Sequence, residues 1–345
     1  MSANDLRLAV LGAGNWGTVI AQLAAQNGHD VRLWTRNPEQ RDEINARRTN
    51  EKAVPGMRVH EGVRASCDLG EAIVGTELVV VVIPSQSMRQ VMRAAGEHLR
   101  PHQVVLHATK GLEKGTRHRM TEILRQETST KQVGVLAGPN IAGEIALGKP
   151  AGTVITSRYP RAWELGRRAL ASKQMMVFHG DDVLGVELAG ALKNVVAIAA
   201  GMASELQVGE NAKALLMTRG LAEITRIAVT LGAAPSTFSG LAGMGDLIAT
   251  CSSPRSRNHR VGAALVQGHS LDHILNNLGM VAEGVPTCIV ARELARELGI
   301  DAPLIEKVYR VVHEGQSPME GLDELMHVPA GRDVSAFGGP KATAF

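Results

Sequence analysis

Lys193 sits in the run GVELAGALKNVVAIAAGM, where nearly every neighbour is small or apolar. Burial of a lysine disfavours its charged form and lowers its pKa, which suits the side chain to proton transfer near neutral pH. The competing reading is a lysine that reaches water along its own stem. Lys110, in HATKGLE, would be an ordinary loop lysine if it stood alone. It gains meaning beside Pro84 in VIPSQS and Gly138 and Asn140 in LAGPNIAGE, because each of these loops follows an apolar, strand-like run. Asp246 stands in the glycine-rich GLAGMGDLIATC, where it could cap the helix that LIATC begins, serve a site, or both. Ser256, Arg257 and Asn258 open SRNHRVGAALVQG. A cap-type serine, a guanidinium and an amide at a helix amino terminus suit a phosphate, although capping by the serine alone would also explain it.

A second kind of chemistry is written near the amino terminus, in LRLAVLGAGNWGTVIAQLAAQNGHDVRLWTRN. Gly12, Gly14 and Gly17 follow an apolar strand and open an amphipathic helix, and a second strand comes within βαβ length. In that context Gly12 permits the tight turn, Gly14 lets backbone approach a pyrophosphate, and Gly17 lets helix and strand pack closely. An acidic residue at the end of the second strand would bind the ribose hydroxyls of NAD, but the chain reads Trp34, Thr35, Arg36 there. Asp30 comes at the strand's start and Glu39 lies past a proline. Arg36 could pair with a 2′-phosphate, which favours NADP and leaves NAD possible.

The elements that must position these groups can be read from patterning. Runs at 6–11, 30–34, 77–83, 103–108, 132–137, 152–156 and 175–179 are rich in Val, Ile and Leu, with helical patterns between most of them. Strand alternating with helix implies an α/β, Rossmann-like, mostly parallel doubly wound sheet. Ligands then bind beyond the carboxyl ends of the strands, where Pro84, Lys110, Gly138 and Asn140 fall. After His179 the pattern turns helical, which gives a dinucleotide-binding domain over 1–181, a second, all-helical substrate domain over 182–328, and a glycine-rich tail over 329–345. A length of 345 residues accommodates two cores.

Composition narrows the class. The net charge of +3 is spread along the chain without a basic block, which argues against nucleic acid as a partner. Cys67, Cys251 and Cys288 are odd in number and lack metal-type spacing, so neither disulfide nor metal site is expected. No basic leader followed by a long apolar run opens the chain, and no run of about 18 apolar residues is evident. A cytoplasmic setting without a membrane span is the expectation.

Taken in order, GAGNWGT, ATKGLE, AGPN, ELAGALKNVVAIAAGM, GENAKALLMTRGLAEI, GLAGMGDLIATC and SRNHRVG resemble the bacterial type of NAD(P)-dependent glycerol-3-phosphate dehydrogenase, from about Leu6 to about Leu325. The resemblance implies a homodimer that reduces dihydroxyacetone phosphate to sn-glycerol 3-phosphate, the headgroup precursor of phospholipids. It makes Lys193 the proton acceptor and donor and brings Lys110 to both substrate and cofactor. Gly138, Asn140, Asp246, Ser256, Arg257 and Asn258 are implied as substrate contacts, and Asn15, Trp16, Arg36, Ala142, Arg257, Val281 and Glu283 as the cofactor lining. Where the family usually has Ser or Thr, then Phe, then a Lys two positions later, this chain reads Asn140, Ile141 and Gly143. Another two-domain NADP-dependent hydroxy-acid dehydrogenase would explain the fold but not SRN beside GMGDL. A non-catalytic NADP-binding sensor would have no need of Lys110, Lys193 and Asp246.

Overall fold

The structure is a computed structural model, and it describes residues 5–279 and 281–327. The tail expected over 329–345 lies outside the described residues. The first part of the chain runs β1 (Arg7–Leu11), α1 (Asn15–Gln26), β2 (Asp30–Trp34), β3 (Val63–Ser66), α2 (Leu69–Ile73), β4 (Leu78–Val81), α3 (Met88–Gly96) and β5 (Val104–His107). It continues through α4 (Met120–Glu127), β6 (Val133–Ala137), α5 (Ala142–Ala146), β7 (Ala151–Thr156), α6 (Pro160–Leu170) and β8 (Met175–Gly180). One eight-stranded sheet results, in the order β3-β2-β1-β4-β5-β6-β7-β8. All neighbours are parallel except β6 and β7, which are antiparallel.

β4, β5 and β6 are buried at every position, as strands covered on both faces must be. On one face α1 and α6 pack through Val19, Ile20, Leu23, Ala162 and Leu165. On the other, α2, α3 and α4 supply Ile73, Met88, Met92, Ile123 and Leu124. The sequence reading missed β3, so the strands it counted third, fourth and fifth are β4, β5 and β6. At four residues, on a sheet edge and with Arg64 exposed, β3 carries too little apolar signal to stand out.

The remaining elements used below are α7 (Val183–Glu205), α8 (Glu210–Thr230), α9 (Asp246–Ser252), α10 (Arg257–Val266), α11 (Gly284–Glu297) and α12 (Pro303–Tyr309). The chain divides into two compact units. The first holds the residues up to Glu113 and His118–Val183, and the second holds Lys114–Arg117 and the chain from Leu184 onward. Among its described residues the second unit contains no strand. Its helix α7 is buried along nearly its whole length, which marks a core helix. By length and composition α7 could cross a membrane, which the count of apolar residues in the sequence overlooked, yet 94% of its most apolar window is buried.

Candidate active site

In the first unit the three glycines do three different things. Gly12 adopts φ +118, and a Cβ there would stand 2.3 Å from the Val82 carbonyl oxygen. Its N–H donates to the Trp34 carbonyl at 3.0 Å, which ties the turn to the end of β2. A Cβ on Gly17 would lie 1.8 Å from the Gly12 carbonyl oxygen, so only glycine lets α1 start this close to the turn. Around Gly14 a Cβ would meet nothing within 4 Å, and no side chain caps the helix that begins at Asn15. That open backbone before an uncapped amino terminus fits a pyrophosphate. Trp16 packs against the adjoining core with its indole N–H buried and without a hydrogen-bond partner.

Past β2 no acid takes up the ribose position. Asp30, at the strand's start, accepts from the Arg7 guanidinium at 3.0 Å, and Glu39 is exposed in the first turn of the short helix Pro38–Asp42. Arg36 is exposed, while Thr35 beside it is buried.

Lys110 and Gly138, at the carboxyl ends of β5 and β6, are brought together. The Lys110 ammonium donates to the Gly138 carbonyl at 3.1 Å, and Gly138 holds φ +134. Asn140 turns back onto β7, where its Nδ2 donates to the Gly152 carbonyl and its Oδ1 accepts from the Thr153 hydroxyl, both at 3.1 Å. Two of its hydrogen-bonding groups therefore already serve the loop. Ala142 opens α5 and packs on the same core as Trp16.

The second unit holds Lys193 and Asp246. Lys193 is 3% exposed and does not reach water along its stem. Its ammonium pairs with Asp246 Oδ1 at 2.8 Å, and Asp246 is itself 2% exposed. Thr250 Oγ1 accepts from the same ammonium at 2.5 Å and donates to the Asp246 carbonyl at 2.6 Å. Burial penalises a lone ammonium and the adjacent carboxylate offsets that penalty, so the dry lysine anticipated from its neighbours is an ion pair. Asp246 does not cap α9. It occupies the first helical position, after a wide π-type turn over Leu241–Gly245, and its carboxylate goes to Lys193.

Ser256 is the amino-terminal cap of α10, accepting from the His259 N–H at 3.4 Å. Arg257, the first residue of that helix, is exposed and donates to the Val281 carbonyl at 2.7 Å, and the charge of Glu283 acts on its guanidinium. Arg257, Val281 and Glu283 thus gather in one place. Asn258 is buried and works inward: its Nδ2 donates to Asn194 Oδ1 at 2.9 Å, and its Oδ1 accepts from the Gly284 N–H at 2.9 Å. One asparagine therefore clasps the residue after Lys193, the start of α10 and the start of α11. Thr250 and Asn194 were overlooked in the sequence. The first stands one helical turn after Asp246 on the same face, and the second directly follows Lys193, which are the only signals they give.

Sequence models of NAD-dependent glycerol-3-phosphate dehydrogenase match this chain in two parts: the amino-terminal model over residues 7–162 and the carboxyl-terminal model over residues 182–323. The chain belongs to this family. A glycerol-3-phosphate dehydrogenase [NAD(P)+] of Geobacillus thermodenitrificans is 45% identical over 322 residues, covering 92% of this chain and 94% of that protein. One from Pseudomonas fluorescens is also 45% identical, over 95% of this chain and 92% of that protein. The crystal structure of glycerol-3-phosphate dehydrogenase from Coxiella burnetii superposes with a TM-score of 0.89 at 34% identity, over 94% of this chain and 100% of that chain. The family likeness therefore spans both units, including the strand ends that carry Lys110 and Gly138 and the helices that carry Lys193 and Asp246.

Proposed function

We propose that the chain reduces dihydroxyacetone phosphate to sn-glycerol 3-phosphate with NADPH, NADH also serving, and that Lys193 supplies the proton. The buried Lys193–Asp246–Thr250 arrangement carries this reading, in a chain whose relatives are named for this activity. When bound, the nicotinamide supplies the hydride. Lys193, held by a carboxylate on one side and a hydroxyl on the other, presents an ammonium N–H to the oxygen of the substrate carbonyl. As that oxygen gains negative charge the ammonium stabilises it and then protonates it. Lys110 assists in polarising the same oxygen. Ser256 and Arg257, at the start of α10, bind the phosphate, and Asp246 and Asn258 keep the lysine and that helix start in register. Gly12, Gly14, Asn15, Trp16, Gly17, Arg36 and Ala142 hold the cofactor from the first unit, and Val281 and Glu283 do so from the second. The product is the glycerol backbone of phospholipids, and the working form is a cytoplasmic homodimer whose Cys251 and Cys288 stay buried as free thiols.

The test is direct. NADPH absorbance should fall near-stoichiometrically with added dihydroxyacetone phosphate and stay unchanged with pyruvate or oxaloacetate. Equal turnover of unphosphorylated dihydroxyacetone would overturn the reading, and turnover of a hydroxy acid's keto form would replace it with the rival dehydrogenase.

A further inference from the structure

Gln40 and Asn50 belong to no site assigned above, yet both side chains end on the glycine turn. Asn50 is 1% exposed and Gln40 is half-buried. Gln40 Nε2 donates to the Ala13 carbonyl at 2.8 Å, and Asn50 Nδ2 donates to the same oxygen at 3.1 Å. A carbonyl only accepts, so both amides must turn their N–H groups toward it, and their other hydrogen bonds follow from that. Asn50 Nδ2 also donates to the Thr18 hydroxyl at 2.9 Å, and that hydroxyl donates to the Gly14 carbonyl at 2.8 Å. Asn50 Oδ1 accepts from Gln40 Nε2 at 3.0 Å, and Gln40 Oε1 accepts from the Thr35 hydroxyl at 2.5 Å. The loop that carries Asn50 is closed by its main chain, since the Ala53 and Val54 N–H groups donate to the Asn50 carbonyl. The Asn50 side chain is left for the turn.

We infer that Asn50 and Gln40 are positioning residues for the cofactor, which fix the direction of the Gly14 N–H. In a trans peptide the C=O and the following N–H point in opposite directions. Two amides hold the Ala13 carbonyl on the buried side of the turn, so the Gly14 N–H faces away from them. Gly14 is exposed, whereas Ala13 and Thr18 are buried. The outward side is where the proposed function seats the pyrophosphate, and the inference rests on that reading. Glycine by itself does not settle the direction. Gly14 stands at φ −73, but without a Cβ the peptide before it can turn over through opposite changes in Ala13 ψ and Gly14 φ. Turned over, it would present a carbonyl oxygen to the phosphates in place of an N–H. Apolar side chains of similar size would fill the same space without choosing between these states. A buried polar network whose groups are satisfied specifies one of them.

Isothermal titration calorimetry of the full chain tests this with NADPH, NADH, ADP-ribose and adenosine 2′-phosphate, of which only the last lacks the pyrophosphate. Gln40→Met keeps the length of the side chain and removes its donors, and Asn50→Ala removes the second amide. Each should weaken NADPH, NADH and ADP-ribose by a common factor of about tenfold, and leave adenosine 2′-phosphate within about twofold of wild type. Gln40→Glu keeps the acceptor for Thr35 but sets an oxygen against the Ala13 carbonyl, so it should lose at least as much as Gln40→Met. In turnover the KM for NADPH should rise by about the same factor, with kcat held within about threefold. Far-UV circular dichroism checks folding, and the two Gln40 variants, at a half-buried position, carry the test if Asn50→Ala does not fold. An equal loss for adenosine 2′-phosphate would mean that the network only supports the fold, and the inference would fail. Unchanged affinity for NADPH in the Gln40 variants would overturn it as well. A wild type that binds neither dinucleotide would remove the cofactor reading, and this inference with it.

Discussion

Asp246→Asn removes one charge and almost no volume from the Lys193 site. Both partners are 3% exposed or less and stand 2.8 Å apart, so the variant leaves an ammonium in a dry site without its counter-charge. Breaking a buried pair in this way costs about 3–5 kcal/mol. For a unit of roughly 150 residues the unfolding entropy is about 0.3 kcal/mol/K, so the second unit should lose about 10–16 °C in Tm. Lys193→Met should cost a similar amount by stranding the carboxylate. The double variant strands neither group, so it should be more stable than the sum of the singles by at least about 2 kcal/mol. Differential scanning calorimetry at fixed protein and cofactor concentration reads all four proteins. In turnover, each single variant should lose a factor on the order of 100 or more with NADPH binding retained, since the proton donor is either absent or no longer held. Additive destabilisation within about 0.5 kcal/mol would refute the coupling. Loss of tenfold or less in Lys193→Met would remove the lysine from proton transfer.

The glycines give a contrast that needs no activity assay: Gly14→Ala should leave stability unchanged, with nothing within 4 Å of the added carbon, yet weaken NADPH binding measured by fluorescence titration. Gly17→Ala should fail to fold or melt far earlier, because its Cβ would lie 1.8 Å from a carbonyl oxygen, and comparable melting of the two variants would refute the assignment. Arg36→Ala should weaken NADPH more than NADH, by about 1.5–3 kcal/mol for a lost charge-assisted pair, and an equal loss for both would take Arg36 off the 2′-phosphate. Arg257→Ala should lower kcat/KM for dihydroxyacetone phosphate at least about tenfold while barely changing the slow reaction of dihydroxyacetone at saturating NADPH; equal losses would show that it does not read the phosphate. Burial lifts the Glu223 carboxyl to about 7, although both its oxygens accept backbone N–H groups at the start of α12, from Leu304 and Ile305. A raised carboxyl binds its proton more tightly when folded, so stability should fall as pH rises from about 4.5 to about 7, by on the order of 3 kcal/mol for this group. Urea unfolding of Glu223→Gln should lack that slope, and an unchanged slope would assign it elsewhere.

How much of this was legible in the sequence follows from how local each feature is. The turn through Gly12, Gly14 and Gly17 is set by neighbours a few residues away, and the structure shows the close approaches that a Cβ at Gly12 or Gly17 would block. Lys193 was legible because it contradicts its surroundings. What it pairs with was not, since Asp246 lies 53 residues away and hydrogen bonds at that separation leave no period in the chain. The same holds for Asn258 and Asn194, 64 residues apart: the sequence shows an amide at a helix start suited to a phosphate, and it does not show that this amide is buried and bonded to Asn194. Asp246 misled because a carboxylate before an apolar run resembles a cap, and only the wide turn over Leu241–Gly245 sets it one position later, inside the helix. β3 escaped because a short edge strand with an exposed arginine buries too little to be patterned.

The Asn258 clasp has a consequence for which molecules can react. On the proposed reading, in which the start of α10 anchors the phosphate and Lys193 gives the proton, the side chain that joins that helix start to the residue after Lys193 makes the span between them a property of the protein and not of the ligand. The second unit would then work as a gauge. A phosphorylated ketone one carbon longer or shorter would seat its phosphate or present its oxygen to the lysine, but not both. Chain length would thus be selected without any pocket wall having to exclude the wrong molecule, and loosening the clasp would broaden the range of substrates before it abolished the reaction.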